Sequence, residues 1–269
     1  VNDNPFAAPT PAIPAVHFRR TTTTATSNKS RLALDLDHPL DHIVDMVGCS
    51  SDAQCIQALQ RLDEHLAQPS EDLLARVDSL IGALTVRLRE CTGTGGIKIT
   101  GESSLDPGTA AVKSRLCRYV CNAILLLVSN ERLGGAVGGE AVEGLLEATL
   151  RALIAPTVDG FEDREQVQKA LNVLLVRAMD TAAPNRTFHG LLALLQRAFL
   201  QPPTDASDRY PELVMKCLWK MTKGLGSRSL ASAGNTDSAA LNVPELLADI
   251  ESFLRCLPPM EWKTRAAQG

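Results

Sequence analysis

Paired histidines and cysteines at helical spacing are the chain's first candidates for chemistry, which would be metal ligation or thiol reactivity. His38 and His42 stand four residues apart, a spacing that can bind zinc on one helix face, but Pro39 follows His38 and the intervening Asp41 does not complete a HExxH motif. Cys117 and Cys121 are also four apart, on the apolar side of "RLCRYVCNAILLL", where free cysteine behaves as a small core residue. Cys217 and Cys256 sit in apolar patterns and read the same way. The glycine runs "GTGGIKIT" and "LGGAVGGEAV" fit neither GxxxxGK[ST] nor GxGxxG and follow no credible strand, so they are read as flexible turns rather than phosphate loops. "DGFEDREQ" at 159–166 is an acidic helix start that complements the helix dipole. No Ser/His/Asp or Cys/His set can be nominated. The chain reads as a non-enzyme with no cofactor and no metal.

A different kind of chemistry is concentrated in "YPELVMKCLWKMTKGL" at 210–225. Leu213, Val214, Cys217, Leu218 and Met221 step along one helical stripe, the face expected in a core. Lys216, Lys220 and Lys223 follow a spacing of four then three and form a separate stripe facing water or an acidic partner. Trp219, with Met215 one turn before it, is expected to pack at the edge between adjacent repeats.

The elements that position these residues are helical. Of 269 residues 45% are hydrophobic, 22% charged and 4% aromatic, a mix rich in Leu and Ala that favours helices over sheet. A net charge of −4 argues against holding nucleic acid or an acidic membrane through the overall field. The longest apolar run, "AILLLV", is too short to span a bilayer. Seven cysteines without a CxxC pair fit reduced thiols better than a disulfide framework. The glycosylation patterns at Asn28 and Asn185 have no secretory signal before them and are read as unused. Without an initiator Met, the sequence reads as a piece of a longer chain.

Residues 1–35, rich in Pro, Thr, Ala and Ser, read as a linker, with Phe18, Arg19 and Arg20 as its candidate docking peptide. From Leu36 the pattern is helical: Leu73, Val77, Leu80, Leu84 and Leu88 form one stripe, as do Val112, Leu116, Tyr119, Ala123 and Leu127, and Phe188, Leu191, Leu195 and Phe199. About nine helices are expected, near 38–48, 53–67, 71–91, 109–129, 140–155, 163–180, 186–200, 210–224 and 243–257. "YPELVMKCLWKM" and "VPELLADIESFL" open alike, with Pro211 and Pro244 each at the first helical position and 33 residues apart. Helix pairs recurring every ~35 to 45 residues are the signature of an α-solenoid. The predicted fold class is therefore all-α, a solenoid over 36–269, interrupted by long Gly/Ser-rich loops at 91–108 and 226–242.

Four stretches carry a family likeness: "SSDAQCIQALQRLDEHL", "QVQKALNVLLVRAMD", "GLLALLQRAF" and "ELVMKCLWKM", followed by "ADIESFL". Their order and residues resemble the region after the tandem TOG domains in the TOG microtubule-polymerase family, often described as a cryptic, divergent sixth TOG domain. The resemblance covers roughly 36–262 and is strongest from Gln166 onward. Residues 93–108 and 226–242 look like insertions, and relatives continue past 269, so the last repeat is expected to be incomplete.

The resemblance implies a flat paddle of HEAT repeats that binds protein partners in the cytoplasm, at microtubules, spindle poles and centrosomes. Ordinary TOG domains grip tubulin through the loops within each helix pair, using a Trp in the first loop and Lys or Arg in later ones. Here the first loop, at 48–53, carries Asp52 near the expected Trp, and the next loops offer Lys98, Arg164 and Arg209. The family also implies docking of TACC coiled coils and γ-tubulin. The candidate partner-binding residues are thus Lys98, Arg164, Arg209, Lys216, Lys220 and Lys223, with direct αβ-tubulin binding or a purely structural scaffold as alternatives.

Overall fold

The leucine stripes fold as helices in every stretch of the computed structural model that can be described, namely residues 39–49, 51–67, 70–95, 107–200, 209–231 and 241–257. Among them are twelve helices and no strand: α1 Pro39–Gly48, α2 Asp52–Leu66, α3 Glu71–Ala75, α4 Val77–Cys91, α5 Pro107–Ser129, α6 Glu131–Ala136, α7 Gly139–Leu153, α8 Pro156–Asp159, α9 Arg164–Thr181, α10 Pro184–Leu200, α11 Arg209–Ala231 and α12 Val243–Cys256. The linker reading of 1–35, Lys98 and most of both long loops lie outside the described residues.

The helices form two stacked layers. α1, α4, α7, α10 and α12 pack in succession, and α2, α5 and α9 pack in succession on one side of them. Within pairs, α1 packs on α2, α4 on α5, α7 on α9 and α10 on α11, which also reaches α7. This is the α-solenoid that the repeat spacing predicts, of the HEAT-like kind that the resemblance implies. Burial follows the stripes: Leu73, Val77, Leu80, Leu84 and Leu88 are all in the core, as are Phe188, Leu191 and Leu195. α9 buries Val167, Leu171, Leu174, Leu175, Ala178 and Met179 against α5, α6 and α7, as a helix covered from several directions should.

Twelve helices replace the nine expected, for local reasons. The helix expected over 71–91 is broken at Arg76 (φ −111°, ψ 5°), where its guanidinium reaches α1 and donates to Asp41 through Nε at 2.6 Å and Nη2 at 3.0 Å. Ser70 Oγ caps the resulting α3 by accepting from the Leu73 N–H at 3.2 Å. α6 starts at an Asn130 cap whose Oδ1 accepts from the Arg132 and Leu133 amides, both at 3.1 Å. α8 is a single turn set by Pro156 in its first turn. Pro211 and Pro244 lie third and second in α11 and α12, still within the turn whose amides have no helical acceptor. Val112 leaves its expected core stripe, being 48% exposed near the start of α5.

Two of the glycines read as flexible turns have defined backbone roles. Gly134 lies buried in α6, where an added Cβ would meet the Val128 carbonyl oxygen at 2.8 Å and Thr181 Oγ1 at 3.0 Å, so only glycine lets α6 approach α9 this closely. Gly93, at φ 70°, ends α4: the Thr94 amide returns to the Arg89 carbonyl at 2.9 Å and the Gly93 amide bonds the Glu90 carbonyl at 3.3 Å, a left-handed helix stop. No helix among the described residues is long and apolar enough to cross a membrane.

Candidate protein-interaction surfaces

Three surfaces emerge from this scaffold: the turns within helix pairs, the outer side of α11 and an apolar seam on α12.

At the first turn, Asp52 opens α2 and accepts from Arg87 Nη2 at 2.5 Å, while Glu90 accepts from Arg87 Nη1 at 2.6 Å. The Arg87 side chain is only 6% exposed, and its Nε has no hydrogen-bond partner. Burial alone would lower the guanidinium pKa, but hydrogen bonds to Glu90 and Cys55 override it and hold the charge. Sequence reading missed Arg87, because its carboxylate partner on α2 is 35 positions away. Asp52 is therefore the outer half of a buried ion pair.

Further along, Glu147 on α7 gathers arginines from three helices. It accepts from Arg151 Nε at 2.9 Å and Arg89 Nη2 at 3.2 Å, and Arg197 Nη1 lies 3.8 Å away. Arg197 also pairs with Glu143. Arg151 stacks 4.8 Å over the Tyr210 ring, which pins the start of α11 to the end of α7. The buried Tyr210 hydroxyl has no partner, and burial pushes its pKa up. Arg164 lies at the start of α9 with Nη1 3.8 Å from Asp159 Oδ1. Asp163, the residue before Arg164, accepts from Ser114 Oγ and from Arg118 Nη1 at 2.7 Å. The arginines of this edge thus face carboxylates within the same molecule, and exposed pairs of this kind contribute at most about 1 kcal/mol each.

Asp163 gives this edge a pH dependence. Burial alone would raise its pKa, but the hydrogen bonds from Ser114 and Arg118 outweigh it and hold the carboxyl below the ordinary range. Such a group contributes stability above its unfolded pKa of about 3.9 and loses that contribution as pH falls through the lower folded value. Asp163→Asn is therefore expected to be less stable than wild type at neutral pH, with the gap closing on acidification below about pH 4. Urea midpoints measured for both chains across that range check it.

On α11 the sequence's cations come together. Tyr210, Val214, Cys217 and Met221 are buried, and at 100° per residue this puts Arg209, Lys216, Lys220 and Lys223 on the outward side. Lys216 Nζ lies 2.7 Å from Glu212 Oε1, and the hydrogen bond from Lys216, with the charges of Lys216 and Arg209, lowers the Glu212 pKa. Arg209, expected on the loop edge, thus joins the lysines. Trp219 corrects the sequence reading: it is 62% exposed rather than packed between repeats, because it falls opposite the buried stripe. Lys223 Nζ sits 5.0 Å from its ring centroid, and Met215 is exposed one turn before it.

α12 buries Leu246 and Phe253 and leaves Val243, Leu247, Ile250 and Leu254 between 36% and 60% exposed, a seam stepping by four, three and four.

No family model and no solved structure matches this chain. Curated proteins similar to it include the following three. Protein MOR1 of Arabidopsis thaliana is 28% identical over 242 residues, covering 83% of this chain and 11% of that protein. Centrosomal protein 224 of Dictyostelium discoideum is 26% identical over 153 residues, covering 56% of this chain and 7% of that protein. Protein mini spindles of Drosophila melanogaster is 23% identical over 133 residues, 49% of this chain and 6% of that protein. The chain thus spans about a tenth or less of the length of the relatives it matches. Taken with the paired-helix solenoid, these relatives support a likeness between this chain and a region of TOG-family proteins.

Proposed function

We propose that this region is a non-enzymatic docking module of a microtubule-associated protein, holding a helical partner of spindle poles or centrosomes. The observation that carries the reading is the exposed seam of α12: Val243, Leu247, Ile250 and Leu254 follow the alternation of coiled-coil core positions. A seam of that pattern suits a coiled coil of the TACC type, and helix-in-groove docking needs only a few such anchors. γ-Tubulin is the second partner the family resemblance implies, and cytoplasmic microtubule structures are the location that follows. Direct αβ-tubulin gripping through the pair turns is less well supported, since Asp52, Arg87, Arg89, Arg151, Arg164 and Arg197 face charges of their own molecule.

A side-by-side pull-down with the whole chain against a TACC coiled coil, γ-tubulin and αβ-tubulin tests the reading. The coiled coil is expected to be retained by the wild type and released by Leu247→Glu/Leu254→Glu, whose exposed positions leave the fold intact. An αβ-tubulin complex of about micromolar affinity or tighter on size-exclusion chromatography, indifferent to that variant, overturns it.

A further inference from the structure

We propose that the outward face of α11 binds an acidic peptide segment, with Trp219 as the apolar anchor and Arg209, Lys216, Lys220 and Lys223 as its carboxylate contacts. The chain as a whole carries a net charge of −4, yet among the described residues this face of α11 sets Arg209, Lys216, Lys220 and Lys223 against the carboxylate of Glu212. Several arginines elsewhere reach acids from other parts of the fold, Arg76 with Asp41, Arg87 with Asp52, Arg118 with Asp163 and Arg132 with Glu71, while Arg255 on α12 pairs locally with Glu251. Among the described residues the ion pair on α11 is local, Lys216 with Glu212 a turn away.

Glu212 marks the seat of a partner's carboxylate. Its Oε1 lies 2.7 Å from Lys216 Nζ and it also feels Arg209, so a bound acid meets the same donors and competes with it. Trp219 supplies what a purely electrostatic patch lacks. An exposed indole flanked by Met215 and capped by Lys223 at 5.0 Å offers apolar area and a cation together, the combination found at interface hot spots. The chemistry recognised is therefore a run of Asp or Glu interrupted by an aliphatic side chain. This face is distinct from the α12 seam, so either assignment can fail without the other.

The test is fluorescence anisotropy of the whole chain with a fluorescein-labelled glutamate-rich peptide carrying a leucine pair. The same peptide with glutamine for glutamate and a labelled DNA duplex run beside it. The glutamate peptide is expected to bind and to weaken as salt rises. Lys216→Glu/Lys220→Glu/Lys223→Glu should weaken it about 30-fold and Trp219→Ala about tenfold. Glu212→Gln, which removes the competing carboxylate, should tighten it about two- to threefold, a gain that loss of structure cannot produce. If the triple reversal lowers the melting temperature, the triple lysine-to-glutamine variant replaces it, with about a tenfold loss expected. Equal binding of the glutamine peptide, tighter binding of the DNA, or unchanged affinity in the lysine variants would overturn the proposal.

Discussion

Taking both carboxylates away from Arg87, in an Asp52→Asn/Glu90→Gln chain, is expected to cost about 2 to 3 kcal/mol, whereas Arg87→Met costs less than about 1 kcal/mol. The asymmetry comes from where each charge sits. The guanidinium is almost wholly buried and its Nε has no partner, while Asp52 and Glu90 are half-exposed. Deleting the acids strands a buried charge. Deleting the arginine lets two carboxylates return to water, and the methionine refills much of the volume. The expected cost of the acid variant lies below the 3 to 5 kcal/mol of a fully buried broken pair, because the outer guanidinium nitrogens reach toward the surface. Urea denaturation of the two chains measures both numbers. If Arg87→Met proves the costlier change, the pair is a net source of stability.

How much of this was legible in advance depended on the range of the interaction. A stripe such as Leu80, Leu84 and Leu88 declares itself because burial on one side imposes the helical period on the sequence. The pairing of helices into a solenoid followed from the same period and the spacing of the stripes. The break at Arg76 did not, because it accompanies a hydrogen-bonded pair with Asp41 on a neighbouring helix, 35 residues away. α6 was missed although Asn130 is a proper cap, since the glycines after it read as a turn when their close approach to Thr181 is not known.

The candidate surfaces divide in the same way. The lysine stripe of α11 was visible as a spacing, and the structure keeps it on one face. Trp219 reads from sequence as an edge residue by its angle and by Met215 one turn before it, and the direction of the buried stripe, set by Tyr210, Val214, Cys217 and Met221, turns it outward. Arg209 was assigned to a loop by its place in the chain, but α11 begins there and carries it onto the lysine side. The neutralised pair turns could not be read from sequence, since Glu147 draws its arginines from α4, α7 and α10. Among the described residues, the turn arginines thus face carboxylates of other helices, whereas the cations of α11 gather on one face.

Leu146→Ala is expected to cost about 3 kcal/mol, and the loss should not be shared evenly along the solenoid. Leu146 is fully buried in α7, the helix that packs on α4, α9, α10 and α11, so the cavity opens in a central helix of the array. A quasi-linear array holds each helix pair mainly through its nearest neighbours. Amides of α4, α7, α9 and α10 should therefore lose most of the protection, because their slowest exchange requires the middle of the array to open. Amides of α12, which packs chiefly on α10 at the end of the first layer, should exchange through local fraying and change little. Hydrogen exchange of the wild type and the variant, compared helix by helix, reads both the size and the spread of the effect. A drop of equal size in α12 and α7 would mean that the layers unfold as one cooperative unit, and that the end bearing the α12 seam is as firmly held as the centre.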